Sequence, residues 1–428
     1  MLSLSRLWSA VKIKFILLCG SRNGELMRTS ASRATELTST GNSEIDDATI
    51  VCFSHLRWDF VYQRPQHLLG RAARRHSVFF IEEPIFEDVD EAVLRLSPRP
   101  EGVQVGVPVL PHGLSESAKI LAQRQLVENL LAGLPTTRRI FWYYTPMALL
   151  FSRHLDADVT VFDNMDQLSA FRGAPPELIA LEDEMLAKAD VVFTGGHSLY
   201  EAKKHRHDNI HAFPSSIDVA HFGQGRNGGA EPADQAGIPG PRIGFFGVID
   251  ERMDTALVGE VARLRPDWSF VMLGPVVKID PAELPQRPNL HWLGGKPYAE
   301  LPAYVGGWDA GFMPFALNES TRFISPTKTP EFLAAGVPVA STPIVDVIGS
   351  YGEAGLVEIA GDAQEMVSAL ERLMAADRAP WLARVDAKLS ENSWDQTFAR
   401  IYELTAEAAD RKRAARGDAP LGKESAHV

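Results

Sequence analysis

Phe323–Thr342 reads FISPTKTPEFLAAGVPVAST. Two helix starts are written into its first half. Ser325 stands before Pro326 and Thr329 before Pro330, each a capping residue followed by a first-turn proline, so the helix boundary is open by one turn. The helix closes at Gly336, a residue suited to the left-handed position just past a helix end. VPVAST follows at once as a short apolar run with strand character. A helix handed directly to a buried strand is the repeating unit of a parallel α/β sheet, whose crossover helices cover both faces.

The same unit recurs in both directions. Upstream, RIGFFG (Arg242–Gly247), WSFVMLG (Trp268–Gly274), NLHWLGG (Asn289–Gly295) and DAGFMPF (Asp309–Phe315) read as strands, with a helix over Thr255–Leu264. Still earlier, TIVCFS (Thr49–Ser54), SVFFIEEP, RIFWYYTP, VTVFDNMD (Val159–Asp166), DVVFTGG and NIHAFPSS form a second series, with helical stretches such as Glu177–Lys188 and Ser198–Lys204 between them. Between the series lies GQGRNGGAEPADQAGIPG (Gly223–Gly240), whose Gly, Pro and Ala density reads as a flexible linker or long surface loop. The expected organisation is an extension over 1–47, a doubly wound α/β domain over 48–222, a linker over 223–240 and a second doubly wound domain over 241–390. A C-terminal helix over 391–416, returning toward the first domain, and a loose tail over 417–428 complete it. Two Rossmann-like domains of this kind hold ligands in the cleft between them, because open α/β sheets bind at the carboxyl ends of their strands.

Composition narrows the class. With 428 residues, 45% hydrophobic and 23% charged, the chain is globular and long enough for two cores. A formal net charge of −12 argues against a nucleic-acid partner. The two cysteines, Cys19 and Cys52, are too few for a disulfide framework or a zinc site, which fits a cytoplasmic protein. No run reaches the roughly 18–20 apolar residues of a membrane span. Trp8–Cys19 comes nearest but carries Lys12 and Lys14, and the polar residues after it read as disordered or as an over-long assignment of the start. Peripheral contact with the inner face of the membrane stays compatible with this composition.

The chemistry-bearing residues should follow the strands. Backbone N–H groups near Ser325 and Pro326, with Lys328 beside them, suit a diphosphate, and Glu331, three residues beyond Lys328, suits the hydroxyls of a ribose. A capping acid with a nearby solvated lysine gives the same spacing. After RIGFFG, Gly247 permits close backbone approach to a phosphate, and Asp250 and Arg252 share the loop, the arginine offering a fork of donors.

Taken together, SPTKTPEFLAAGVPVAST, PRIGFFGVIDERMD, NLHWLGGKPYAELPAYVGGWDAGFMPF and HAFPSSIDVAHF resemble the ordered motifs of retaining glycosyltransferases of the GT-B fold, in the broad family-4 group. FSHLRWDFVYQRPQHLL resembles a bacterial subgroup of polysaccharide and teichuronic-acid glycosyltransferases, some fused to UDP-galactopyranose mutase. The resemblance spans about Thr49 to Thr405. It implies a GT-B fold, a nucleotide-sugar donor, UDP above all, on the C-terminal half, and a glycan or lipid-linked acceptor on the N-terminal half. It implies no cofactor beyond that co-substrate. It gives Glu331 the ribose, and Gly294 and Lys296, with Gly295, the base. One position departs: the family carries a second glutamate eight residues before Glu331, where this chain has Phe323, with Asn318 and Glu319 nearby but out of register.

On the acceptor side, Arg57, Trp58 and Asp59 combine an aromatic face with a charged pair, as sugar sites do, or else form a packed surface loop. Arg64 and His67 open the following helix, His67 as a candidate catalytic residue within reach of the cleft or else a structural histidine, and Tyr144 stands between core and acceptor wall. Asp163, at the end of VTVFD, falls by resemblance near the reacting sugar, where a carboxylate stabilises positive charge at the anomeric carbon, or else is a strand-end acid that caps a turn; Asp166 begins the next loop as a further catalytic candidate. Asp88–Asp90 and Asp156–Asp158 have metal-binding spacing but read as solvated loops, so no metal is expected. The leading function is transfer of a hexose in cell-surface polysaccharide synthesis. A GT-B sugar-nucleotide epimerase and a non-catalytic GT-B partner are the alternatives.

Overall fold

A computed structural model describes Ile45 and residues 47–417, so the expectations for the N-terminal extension and the C-terminal tail lie outside the described residues. The strands are β1 Thr49–Phe53, β2 Val78–Ile81, β3 Ile85–Glu87, β4 Val93–Pro98, β5 Val103–Pro111, β6 Arg139–Tyr143, β7 Val159–Asn164, β8 Val191–Thr194 and β9 Ile210–Ala212 in the first half. In the second half they are β10 Arg242–Phe246, β11 Ser269–Leu273, β12 Leu290–Gly294, β13 Ala310–Met313, β14 Val339–Ser341 and β15 Val357–Ile359. The helices of seven residues or more are α1 Arg64–Ala72, α2 Glu116–Ala132, α3 Glu177–Lys188, α4 His197–Lys203, α5 Thr255–Leu264, α6 Lys328–Ala334, α7 Ala363–Ala375, α8 Arg378–Leu389 and α9 Trp394–Arg416.

The first sheet runs β3-β5-β2-β1-β6-β7-β8-β9 with β4 on β5, and that β4–β5 pair is antiparallel among otherwise parallel neighbours. The second runs β12-β11-β10-β13-β14-β15, all parallel. All five residues of β1 are buried, as a strand covered on both faces requires. One face of the first sheet packs Cys52, Phe80, Trp142 and Phe193 against Trp394, Ile401 and Leu404 of α9. The other packs Phe53, Phe141 and Phe162 against Leu131 of α2 and Met185 of α3. Each large apolar side chain so buried contributes about 1.5–3 kcal/mol relative to exposure. In the second half, α5 and α7 cover one face through Val258, Val261, Met366 and Leu370. α6 and α8 cover the other through Phe332, Leu333, Val385 and Leu389.

The last helix therefore lies on the first sheet although it follows the second domain in sequence. Arg416 and Lys412 at its end pair with Asp156 and Asp190 of the first half, and His67 of α1 stacks on Trp394 at 4.5 Å with the rings 7° apart. The segment expected as a flexible linker is instead a strap on the second half. Gln235 is wholly buried, donating to the Tyr304 carbonyl and accepting from the Trp308 indole, and Arg226 donates to the carbonyl of Ala334. Its composition suited a loop, but two polar side chains that find fixed partners, Gln235 and Arg226, pin that loop down. The helix start left open by one turn falls between the two candidates: α6 begins at Lys328, led in by a turn in which the Thr329 amide donates to the Pro326 carbonyl.

Candidate functional site

The carboxyl ends of β10, β11 and β12 meet at Gly247, Gly274 and Gly294. Gly274 has φ +149, and a Cβ there would stand 1.7 Å from the Gly247 carbonyl oxygen, so the two loops touch only because no side chain intervenes. Gly247 has φ +147, and a Cβ there would meet Lys328 Cε at 3.5 Å. The loop glycine and the lysine thus share one corner. Lys328 Nζ donates to Glu331 Oε2 at 2.8 Å and lies 4.8 Å above the Phe246 ring. Glu331 is 6% exposed, and burial raises its carboxyl while the Lys328 ammonium opposes the rise. The corner offers one cation, one half-satisfied carboxylate and, at Gly247, a partly exposed backbone that no side chain covers.

A second group of charges lies where the halves meet. Asp250 is buried and takes Arg252 Nε and Nη2 in a fork, with Nη2 to Oδ2 at 2.7 Å, so Nη1 is the arginine end without a hydrogen bond among the described residues. The Arg252 guanidinium stands 5.5 Å from the Phe171 ring of the first half, and Lys278 Nζ stands 4.8 Å from the same ring. Lys278 holds φ +62, a costly backbone for a residue with a side chain. Facing them, Asp166 has no hydrogen bond to its carboxylate among the described residues. Burial lifts it to about 6, with Arg252 opposing and Asp250 adding to the lift. Burial also pushes His55 down to about 4, with Lys278 adding, and its Nδ1 is unpartnered. Glu251 is 3.6 Å from Lys278 through Oε1, with a side chain 7% exposed and neither oxygen hydrogen-bonded. Buried acceptors without donors cost about 1–3 kcal/mol each, more when charged, so this seam suits a ligand rich in hydroxyl groups. His55, Phe171, Glu251 and Lys278 were not singled out from the sequence. His55 is one residue past a strand-end serine, and the left-handed backbone of Lys278 carries no signature in a chain of amino acids.

Several expected site residues lie elsewhere. Asp163 does not face the cleft: it is 0% exposed and held by Arg64, whose Nε lies 3.0 Å from both its oxygens. Arg64 is 2% exposed and spends Nη1 on the Phe213 carbonyl, so it is no acceptor contact. Tyr144, 1% exposed, packs in the same core, where burial raises its phenol and Asp163 adds to that. Three residues beyond Asp163, past the end of β7, the chain leaves the core, and Asp166 is the expected acid that reaches the seam. Trp58 is core, edge-on to Phe80 at 5.0 Å, and not a sugar platform. Arg57 is tied to Glu82 at 2.9 Å and Asp59 to Arg99 at 2.7 Å, so the loop is stapled to its own sheet. His67 is walled in by Trp394, Tyr62 and Tyr298, and burial pushes it down to about 3, with Arg71 and Lys328 adding. A neutral stacked imidazole there joins α1 to α9. Gly294 ends β12 in open space with φ +70, but Lys296 turns away to Asp234 at 2.6 Å. Lys296→Ala is accordingly expected to leave nucleotide affinity within about twofold, since its partner lies on the strap; a tenfold loss by calorimetry would return it to the site.

Ser325 and Pro326 line a cavity of about 160 Å³ with His197, Thr329, Asp346 and Tyr351. Among the described residues no three His, Cys, Asp or Glu side chains gather as metal ligands, and no helix is long and apolar enough to cross a membrane.

No family model matches the chain. Over 221 residues it is 26% identical to TuaH of Bacillus subtilis (strain 168), provisionally named as a teichuronic acid biosynthesis glycosyltransferase. The match covers 48% of this chain and 55% of that one, so the chain spans about half the length of the curated relative. Among solved structures, a trehalose-6-phosphate protein from E. coli bound with UDP-2-fluoro glucose superposes with a TM-score of 0.63 at 12% identity, covering 84% of this chain and 99% of the other. Sucrose-phosphate synthase from Thermosynechococcus elongatus gives 0.61 at 13% over 86% and 100%, and Anabaena HepE in complex with UDP and glucose gives 0.60 at 11% over 84% and 100%. At such identities the likeness carries the architecture alone, and with the sheet orders above it gives this chain the GT-B fold.

Proposed function

We propose that the chain is a glycosyltransferase that moves a hexose from a nucleotide sugar, UDP-linked in our reading, to a glycan or lipid-linked acceptor in cell-surface polysaccharide synthesis. The observation that carries this is the meeting of Gly247, Lys328 and Glu331 in one corner. It gives a diphosphate its cation and backbone, and a ribose its carboxylate. The UDP and glucose ligands named for two of the similar structures and the biosynthetic role named for TuaH support the same reading.

The chemistry follows from the groups present. Cleavage of the anomeric C–O bond leaves negative charge on the diphosphate and positive charge on the sugar ring. Lys328 and the open end of Arg252 meet the first without a metal ion. Asp166, unpartnered at the seam, meets the second, and Glu251, His55 and Lys278 hold sugar hydroxyls. The acceptor enters from the first half, and we read the transfer as retaining. Because desolvated charges interact strongly, closing the seam raises the effect of each group and keeps water from the donor.

Calorimetry with UDP, with and without chelator, tests the reading. Binding that survives the chelator is expected, and loss of binding in chelator would defeat the metal-free part. Glu331→Ala is expected to weaken UDP about 10- to 100-fold, because bonds to a charged acceptor contribute roughly 1.5–3 kcal/mol. An unchanged dissociation constant in a folded variant removes Glu331 from the site.

A further inference from the structure

α4 begins without a cap of its own. Its first position is preceded by Gly196 in extended backbone, a residue with no side chain to receive the free amides of the first turn. The cap arrives from the other half. Asp346, in the turn Val345–Val347 after β14, accepts from the His197 amide through Oδ2 and from the Ser198 amide through Oδ1, both at 2.9 Å. The carboxylate is 4% exposed. A Cβ on Gly196 would lie 2.1 Å from Asp346 Oδ2 and 2.8 Å from Ser325 Cβ, so the glycine is what lets the carboxylate and the lead-in to α6 close on the helix.

We infer that Asp346 is a positioning residue that latches the two halves together over the candidate site by capping α4 from across the seam. A cap supplied within one helix stabilises the helix whatever the domains do. A cap supplied from the opposite half exists only when the halves are together, so its favourable energy goes into closure. Two successive amides on two oxygens of one carboxylate also make a stiff contact, which fixes angle as well as distance. Asp346 touches neither the Gly247–Lys328 corner nor the Asp166 seam. It acts through α4 and through Ser325, which stands against Gly196 and precedes the helix that carries Lys328 and Glu331. Opening hydrates both partners, so the latch tips the balance modestly, by about tenfold, the usual effect of a helix cap.

The test uses the full chain with Asp346→Ala, the near-isosteric Asp346→Asn and Gly196→Ala, which leaves the carboxylate intact but denies it room. Amide hydrogen exchange reads His197 and Ser198 directly, and small-angle X-ray scattering reads the separation of the halves. Both Asp346→Ala and Gly196→Ala are expected to speed exchange at these amides about tenfold and to enlarge the radius of gyration, with Asp346→Asn between them and the wild type. If the proposed transfer reaction holds, on which only this arm rests, kcat falls about tenfold while the UDP dissociation constant stays within about twofold. Faster exchange with unchanged scattering would reduce Asp346 to a local helix cap and overturn the inference, as would unchanged exchange in both variants. Failure of transfer or UDP binding in the wild type would count against the proposed function alone.

Discussion

Asp166→Asn is expected to lower the rate of sugar transfer about 100-fold, roughly 2.7 kcal/mol of barrier, while nucleotide affinity stays within about twofold. The asparagine keeps the size of the side chain and removes its charge. Asp166 is partly open at the seam, unpartnered, and beside Arg252 and Lys278, so a charge developing on the sugar would feel it in the transition state more than in the ground state. The pH profile gives a second readout. Burial holds this carboxyl at about 6, so it gains a proton as pH falls through that value, and the rate should drop about tenfold per unit below it. The variant has no such group and should lack that acid limb. Turnover near the wild type, or an acid limb that persists in the variant, would remove Asp166 from the chemistry.

Arg64→Met should act on stability instead, and more severely than any substitution at the seam. It leaves the Asp163 carboxylate, 0% exposed, without its cation among Cys52, Tyr144 and the surrounding core. Breaking one side of a buried pair costs about 3–5 kcal/mol, and in a protein of this size the Tm should fall on the order of 10 °C. Asp163→Leu added to Arg64→Met should recover most of that loss, since a well-packed apolar pair replaces both charges. If Arg64→Met melts like the wild type but loses turnover, the pair is part of the chemistry and the structural reading of it fails. Both variants are to be followed by calorimetric melting and by transfer rate per folded molecule.

The two series of apolar runs were legible because a strand buried on both faces is mostly apolar, and β1, β8 and β11 are buried throughout and mostly apolar. Lys328 and Glu331 were legible as a pair because three residues on a helix bring side chains together whatever surrounds them. Asp163 and Asp166 could not be told apart in the same way. Both follow the same strand, both are acids, and the difference between 0% exposed under Arg64 and unpartnered at the seam depends on α1, which lies about a hundred residues earlier. Trp58 and Lys296 failed for a similar reason: an aromatic or a lysine after a strand looks the same whether its partner is a ligand, Phe80 or Asp234.

What the amino-acid sequence determined by itself is the alternation of elements, the two-fold organisation and the local pairings set by helix spacing, because periodicity, capping and burial of apolar runs act over a few residues. What only the tertiary structure decided is which charges are spent on one another and which remain for a ligand. Arg64 with Asp163, Lys296 with Asp234 and Asp346 with the start of α4 join residues far apart in the chain. A carboxylate's availability depends on the dielectric and the donors around it, and those come from the packing of distant segments.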